Sequence, residues 1–131
     1  MNQQKELAVK VMKFANEFSH WNFQIQQGKG SYFVKTALKD QKGQEITICY
    51  EIAEELAELQ VISMDSRYDF EFLQKKVNVI GHRYPVYAMG VGDRNISIVS
   101  PMPLGVLDRY MPVIVRERMI EMFQTMTDII N

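Results

Sequence analysis

Residues 45–64, EITICYEIAEELAELQVISM, decide how this chain folds. Ile46, Ile48, Tyr50 and Ile52 alternate with Glu45, Thr47, Cys49 and Glu51, the rhythm of a strand with one apolar and one polar face. The next stretch, AEELAEL at 53–59, is built from good helix formers. It would give only about two helical turns, carries no capping signal, and passes straight into LQVISM, which resumes a β-like pattern. The reading adopted is a tight turn at residues 53–55 and a returning strand over 56–64. A short helix over 53–59 is the alternative.

Working outward, Leu7, Val11, Phe14 and Phe18 fall at helical spacing and predict an N-terminal helix. Trp21, Phe23 and Ile25 alternate with Asn22, Gln24 and Gln26, which predicts a strand from Trp21 onward. QGKG at 27–30 and KDQKGQ at 39–44 are turns around a second strand, SYFVKTAL. After the central pair of strands, Asp65 or Ser66 can cap a second helix. Phe70, Leu73, Val77 and Ile80 line its face, and Gly81 is its stop signal.

The stretch RYPVYAMGVGDRNISIVSPMPLG, residues 83–105, predicts a β-hairpin. Tyr87, Met89 and Val91 alternate on one arm, Ile96 and Ile98 on the other. The turn is Gly92-Asp93-Arg94-Asn95, with backbone freedom assigned to Gly92 and unusual dihedrals to Asp93 and Asn95. Pro101 and Pro103 are expected to end the second arm. From about Asp108 a long terminal helix follows, with Pro112 in its first turn. Its stripe is Val115, Met119, Met122, Met126 and Ile129, widened by Ile120, Phe123 and Ile130.

The order α-β-β-β-β-α-β-β-α implies an α+β fold: a two-layer domain, antiparallel β-sheet with helices on one face. The chain, 131 residues with 47% hydrophobic and 24% charged, reads as one domain spanning 1–131. Fifteen basic and sixteen acidic residues give a net charge of −1, without the broad basic footprint of a nucleic-acid binder. The single Cys49 fits a reducing compartment. The charged start MNQQKELAVKVMKFANEF has no apolar leader core, and no apolar run approaches a membrane span. A cytoplasmic protein is expected, with neither membrane nor nucleic acid as partner.

Chemistry is sparse. Neither glycine-rich stretch precedes a helix, so neither offers helix amides to a phosphate. Glu17 and His20 have an i, i+3 spacing seen in metal sites, but one such pair cannot close one, and His82 has no companion in sequence. Cys49 shares a strand face with Glu45 and Glu51, which blunt a thiolate. Glu51, Glu54, Glu55 and Glu58 read as a solvated turn. No catalytic residue, metal ligand or cofactor is expected. The methionines of the terminal helix fill cores as readily as they line adaptable binding surfaces. Candidate partner-binding residues are Met111, Arg116, Met119, Met122, Phe123 and Met126, with Arg116 and Arg118 as a polar rim.

Several stretches together resemble the YbjN-like family of bacterial proteins, sometimes labelled sensory transduction regulators. They are WNFQIQ after the first helix, the meander YFVKTALKDQKGQEITICYEI, the segment VNVIGHRYPVYAMGVGDRNISIVSPMPLG, and the terminal helix. The family pattern favours Asn and Arg at the second helix's exit, where this chain has Gly81, His82 and Arg83. Such proteins are similar in fold to type III secretion chaperones, generally homodimers that hold an extended client segment. The resemblance implies a non-enzymatic binding, chaperone-like or regulatory module that forms a homodimer and engages a protein or peptide partner. A small-molecule-sensing domain is the alternative, and a small enzyme using Glu17, His20 and His82 is a third.

Overall fold

The structure, a computed structural model, describes residues 2–80 and 87–131. Gly81, His82 and the start of the hairpin segment lie outside the described residues. The elements run α1 (Gln3–Ser19), β1 (Gln24–Gln27), β2 (Tyr32–Lys39), β3 (Glu45–Ile52), β4 (Leu56–Ser63), α2 (Phe70–Ile80), β5 (Ala88–Gly92) and β6 (Asn95–Pro103). Then come α3 (Leu104–Arg109), a π-helical segment (Pro112–Arg118) and α4 (Met119–Ile130). The strands form one six-stranded antiparallel sheet in the order β1-β2-β3-β4-β6-β5.

The residues at 53–59 are turn and strand. Ala53 N–H donates to the Leu56 carbonyl at 2.9 Å, and the pairing continues as Ile52 with Ala57 and Glu51 with Glu58. Tertiary burial overrides helix propensity here, because strand geometry places Ala57, Leu59, Val61 and Ser63 all on the buried face. Rows of inward side chains then cross the sheet: Val34, Tyr50, Leu59 and Ser100 in one, Ile48, Val61 and Ile98 in the next. α1 packs on β1 to β3, α4 on β4, α3 on β4 and β6, and α2 on α4 and β5. The buried apolar residues of both layers make one core.

Five local expectations change. β1 begins at Gln24 rather than Trp21, because His20 and Asn22 both take left-handed backbone (φ 59° and 62°) and turn the chain out of α1. The Asn16 side chain substitutes for the missing ladder, accepting from Phe23 N–H at 2.6 Å and donating to its carbonyl at 3.1 Å. The cap of α2 is Asp69, whose carboxylate accepts from Phe72 N–H at 3.0 Å, and neither Asp65 nor Ser66. Ser66 is buried and its backbone is committed elsewhere: its N–H donates to the Arg94 carbonyl and its own carbonyl accepts from Arg94 Nε. That grip also holds Arg94, rather than Gly92, Asp93 or Asn95, in the left-handed conformation of the hairpin turn (φ 61°).

Pro101 lies inside β6, paired with Glu58, while Pro103, paired with Leu56, is the last residue of the strand as expected. The pairing with β5 reaches only as far as Val99, so among the described residues β6 has no second neighbour beyond it and missing amides are tolerated there. The fifth change is at the C-terminal helix, which starts earlier than Asp108 and in pieces. Pro112 has no N–H and its ring crowds the carbonyl four residues back. α3 ends at Arg109, Tyr110 leaves helical space (φ −112°, ψ 37°), and residues 112–118 wind as π-helix before α4 resumes regular geometry.

Wider π winding offsets each carbonyl from the amide an α-helix would give it. The Val115 carbonyl accepts instead from the Tyr50 hydroxyl, at 2.6 Å and fully buried. Burial pushes the Tyr50 phenol well above its ordinary range, so it stays a donor. At the opposite end of α4, Asn131 ties three segments together. Its side chain donates to Asp40 at 3.0 Å and accepts from Arg67 at 3.3 Å, and its carbonyl accepts from Tyr68 Oη at 3.2 Å. We expect Tyr50→Phe to leave a buried acceptor unpaired and to cost about 1–3 kcal/mol, read as a lower urea midpoint at unchanged slope. An unchanged midpoint would show that the π segment needs no support from the sheet.

Candidate functional site

All helices sit on the face of the sheet that carries Ile46, Ile48, Tyr50 and Ile52. The other face has no covering layer among the described residues. Registration places its side chains in rows. One runs Gln24, Lys35, Cys49, Gln60, Val99 and Ala88, the next Gln26, Phe33, Glu51, Glu58 and Pro101. A third runs Ala37, Thr47, Ile62, Ser97 and Gly90. Phe33, Ile62 and Val99 are half-buried, Ala37 and Ala88 are exposed, and Leu56 at the margin is 58% exposed. This is more apolar surface than a purely solvated sheet face needs. Toward β1 the face dips into a shallow hollow of about 590 Å³ between Gln24, Gln26, Lys35, Ala37 and Thr47.

At its centre, Glu51 and Glu58 stand directly opposite each other on β3 and β4. The Gln60 side-chain amide donates to both, at 3.1 Å to Glu51 and 2.9 Å to Glu58. Like charges set directly across a ladder repel, and one neutral amide only partly offsets that. Among the described residues the one ion pair is Lys10 with Asp108, so neither of the glutamates nor Lys35 has an ion-pair partner among them. Cys49 lies between Lys35 and Gln60 and is only 5% exposed despite its outward direction. Burial first, then the Glu51 and Glu58 charges, push its thiol from an ordinary 9.0 up to about 12, while Lys35 pulls the other way. The expectation of a blunted thiol is met in this geometry.

The candidate partner residues on the terminal helix divide. Met119, Met122 and Met126 are 0% exposed and belong to the core, so they cannot touch a partner in this fold. The stripe faces the sheet because α4 packs on β4. Phe123 is half-buried, its ring 5.2 Å from Trp21. Met111 is half-buried and Arg116 exposed, while Arg118 is engaged, donating to Ser100 Oγ at 3.1 Å. Of the acidic group, Glu54 and Glu55 form the exposed turn, whereas Glu51 and Glu58 belong to the open face. Their juxtaposition follows from the turn closed by Ala53 N–H on the Leu56 carbonyl, which sets Glu51 opposite Glu58.

His20 is the left-handed C-cap of α1 and exposed. The acidic turn lies near the helix's other end, where Glu54 and Asn2 border one depression. Seventeen helical residues, about 25 Å, separate the two. Glu17 and His20 therefore do not meet the acidic turn, and His82 lies outside the described residues. No group of three His, Cys, Asp or Glu converges as a metal site among the described residues. The first glycine-rich stretch is a strand-to-strand turn, and the second puts Gly90 and Gly92 in β5 with the turn at Asp93 and Arg94. Gly28 has the Phe33 ring packed against it where a Cβ would stand, and Gly30 takes φ 83°.

No known family, curated protein or solved structure matches this chain. Among the described residues no helix is long and apolar enough to cross a membrane.

Alkaline stability reports directly on the centre of the open face. The unfolded chain sheds the Cys49 proton above pH 9.0, while the folded chain keeps it until about pH 12. The stabilising contribution is therefore complete below pH 9.0 and is lost as pH rises toward 12. Urea midpoints across this window should fall less steeply for Cys49→Ala than for the unaltered chain. Parallel slopes would mean that Cys49 is solvated.

Proposed function

We propose that this chain is a non-enzymatic binding module, chaperone-like or regulatory, that forms a homodimer and engages a protein or peptide partner. The observation that carries this is the sheet face left uncovered by the described residues, broad, partly apolar, and centred on charges that find no counterion among those residues. An interaction surface combines those properties, whereas a face selected only for solvation does not need Phe33, Ile62 and Val99. The resemblance to the YbjN-like family, and through it to homodimeric secretion chaperones, points the same way. It also makes a bacterial cytoplasmic setting the natural one.

The sensing alternative calls for a pocket between sheet and helices. In this fold Met119, Met122, Met126, Ile114 and Tyr50 fill that space. The hollow beside Gln24 and Lys35 is open to the surface, and so is a second of about 640 Å³ between Lys39, Lys42 and Phe123. The enzyme alternative calls for convergence of Glu17, His20, His82 and the acidic turn, and α1 holds Glu17 and His20 at the end away from that turn. Binding of a macromolecule is the reading these positions favour.

The test is recovery of a defined partner from native extract on immobilised protein, then calorimetric titration with that partner purified. Ile62→Glu and Val99→Glu should keep the far-UV spectrum and lose roughly tenfold or more in affinity, because each puts a charge into the centre of the contact. A metabolite that raises the melting temperature by several degrees, with no protein retained, would favour the sensing alternative instead.

A further inference from the structure

The geometry points to β5 as the edge at which an extended segment of the partner joins the sheet as a further strand. This rests on the reading above, that the chain engages a protein or peptide partner, and gives that partner a backbone conformation and a place.

The register decides which backbone groups face outward. Gly92 and Asn95 flank the two-residue turn Asp93-Arg94, which makes them a hydrogen-bonded pair. Gly90 with Ser97 and Ala88 with Val99 follow in step. Met89 and Val91 therefore turn their N–H and C=O groups away from β6, at the end of the sheet. Nothing among the described residues pairs with those groups. They recur every second residue, about 6.8 Å, the interval at which a neighbouring antiparallel strand presents its own.

The chain closes its other stretches of edge by itself. The same alternation turns the nitrogens of Pro101 and Pro103 toward the side that β5 leaves bare, and neither has a proton to donate. At the opposite edge, just before β1, the Asn16 side chain takes both backbone groups of Phe23, at 2.6 and 3.1 Å. A strand added along β1 would run into α1 there. β5 has neither proline nor charge, the usual guards of an edge.

α2 selects an occupant without a helix of its own. α4 lies over β4, and β5 is two strands further along the sheet. Two strand spacings are about 10 Å, the distance between packed helices, so α2, packed on α4 and β5, lies over β5. A second copy pairing its β5 with this one would bring its α2 to about 5 Å from the first, where helices need about 8–10 Å. An extended segment meets no such obstacle. Met89 and Val91 pair with Ile98 and Ile96, so their side chains are on the helix-bearing face. Lys76 marks the flank of α2 that reaches α4. By helical spacing the opposite flank is Phe70, Gln74 and Asn78, with Phe70 45% exposed. Side chains of the segment beside Met89 and Val91 point under that flank and are apolar.

Amide exchange of the full chain followed by NMR tests the inference, with a short blocked peptide in which threonine and valine alternate between terminal lysines. In the free chain the Met89 and Val91 amides should exchange roughly a hundredfold faster than that of Gly90, which β6 holds. The peptide should slow both roughly tenfold or more, and the same peptide N-methylated along its backbone should not. Val91→Pro should abolish the slowing at Met89, whereas Val91→Ala, which keeps the amide, should stay within about threefold of the unaltered chain. Far-UV spectra check the fold, and Met89→Pro against Met89→Ala gives the same comparison read at Val91. Slow Met89 and Val91 amides in the free chain overturn the inference. So does a peptide without effect at its solubility limit, or one equally effective when N-methylated. A defined partner that is lost with Ile62→Glu and indifferent to Val91→Pro overturns the edge and leaves the binding module standing. Peptide protection at β5 with no partner retained from extract does the reverse.

Discussion

The fold hangs on one requirement: the inward side of β3 must leave water. Ile46, Ile48, Tyr50 and Ile52 are each almost wholly buried, and burying a side chain of this size contributes about 1.5–3 kcal/mol. β3 pairs on both sides, so its inward row continues into β2 and β4 and from there into β6. Burying that row takes a full layer of helices. α1, α3, α4 and the π segment supply it, and α2 closes the margin against α4 and β5. With every helix drawn to one side, nothing remains in the described chain to cover the other.

Tyr50 connects this requirement to the helical layer's most irregular part. Its ring packs against Phe23, 5.7 Å between centroids, and its hydroxyl reaches the Val115 carbonyl. A buried phenol needs a partner, and the π winding after Pro112 provides a carbonyl in the right place. The irregularity and the buried donor thus answer each other. An isoleucine at 50 would complete the strand's apolar alternation but would leave Val115 without its donor. A regular helix through 112–118 would leave Tyr50 without an acceptor.

Much of this was readable in the chain. Period-two alternation gave the strands, their neighbours gave the turns, and the layer arrangement followed from the order of elements. What escaped were features settled by contacts distant in sequence. Asp69 rather than Ser66 caps the helix because Arg94, 28 residues away, fixes the Ser66 backbone before the helix and the Ser66 hydroxyl accepts from Tyr68 N–H instead. Arg94 took the left-handed position for the same reason, with glycine two residues before it. The π segment depends on Tyr50, 65 residues away from Val115. The methionine stripe was visible, but a stripe has no label saying whether sheet or partner lies across from it. The open face was hidden for a different reason. The sequence shows that β3 has a polar side, but only the register shows Glu51 against Glu58 and Lys35 one row away.

That register argues against reading the face as mere solvated surface. Exposed sheet faces gain from opposite charges in direct or diagonal pairs, and this chain has the charges to make them. Placing lysine at 58 opposite Glu51 would pair the centre at once. Instead the two acids face each other across the ladder, held by Gln60, beside a thiol too desolvated to ionise and a lysine left unpaired. Folding of the protomer alone gives no reason for this arrangement, since each change toward self-pairing would stabilise it. The opposition of Glu51 and Glu58 is a cost within the fold that the Gln60 amide only partly offsets.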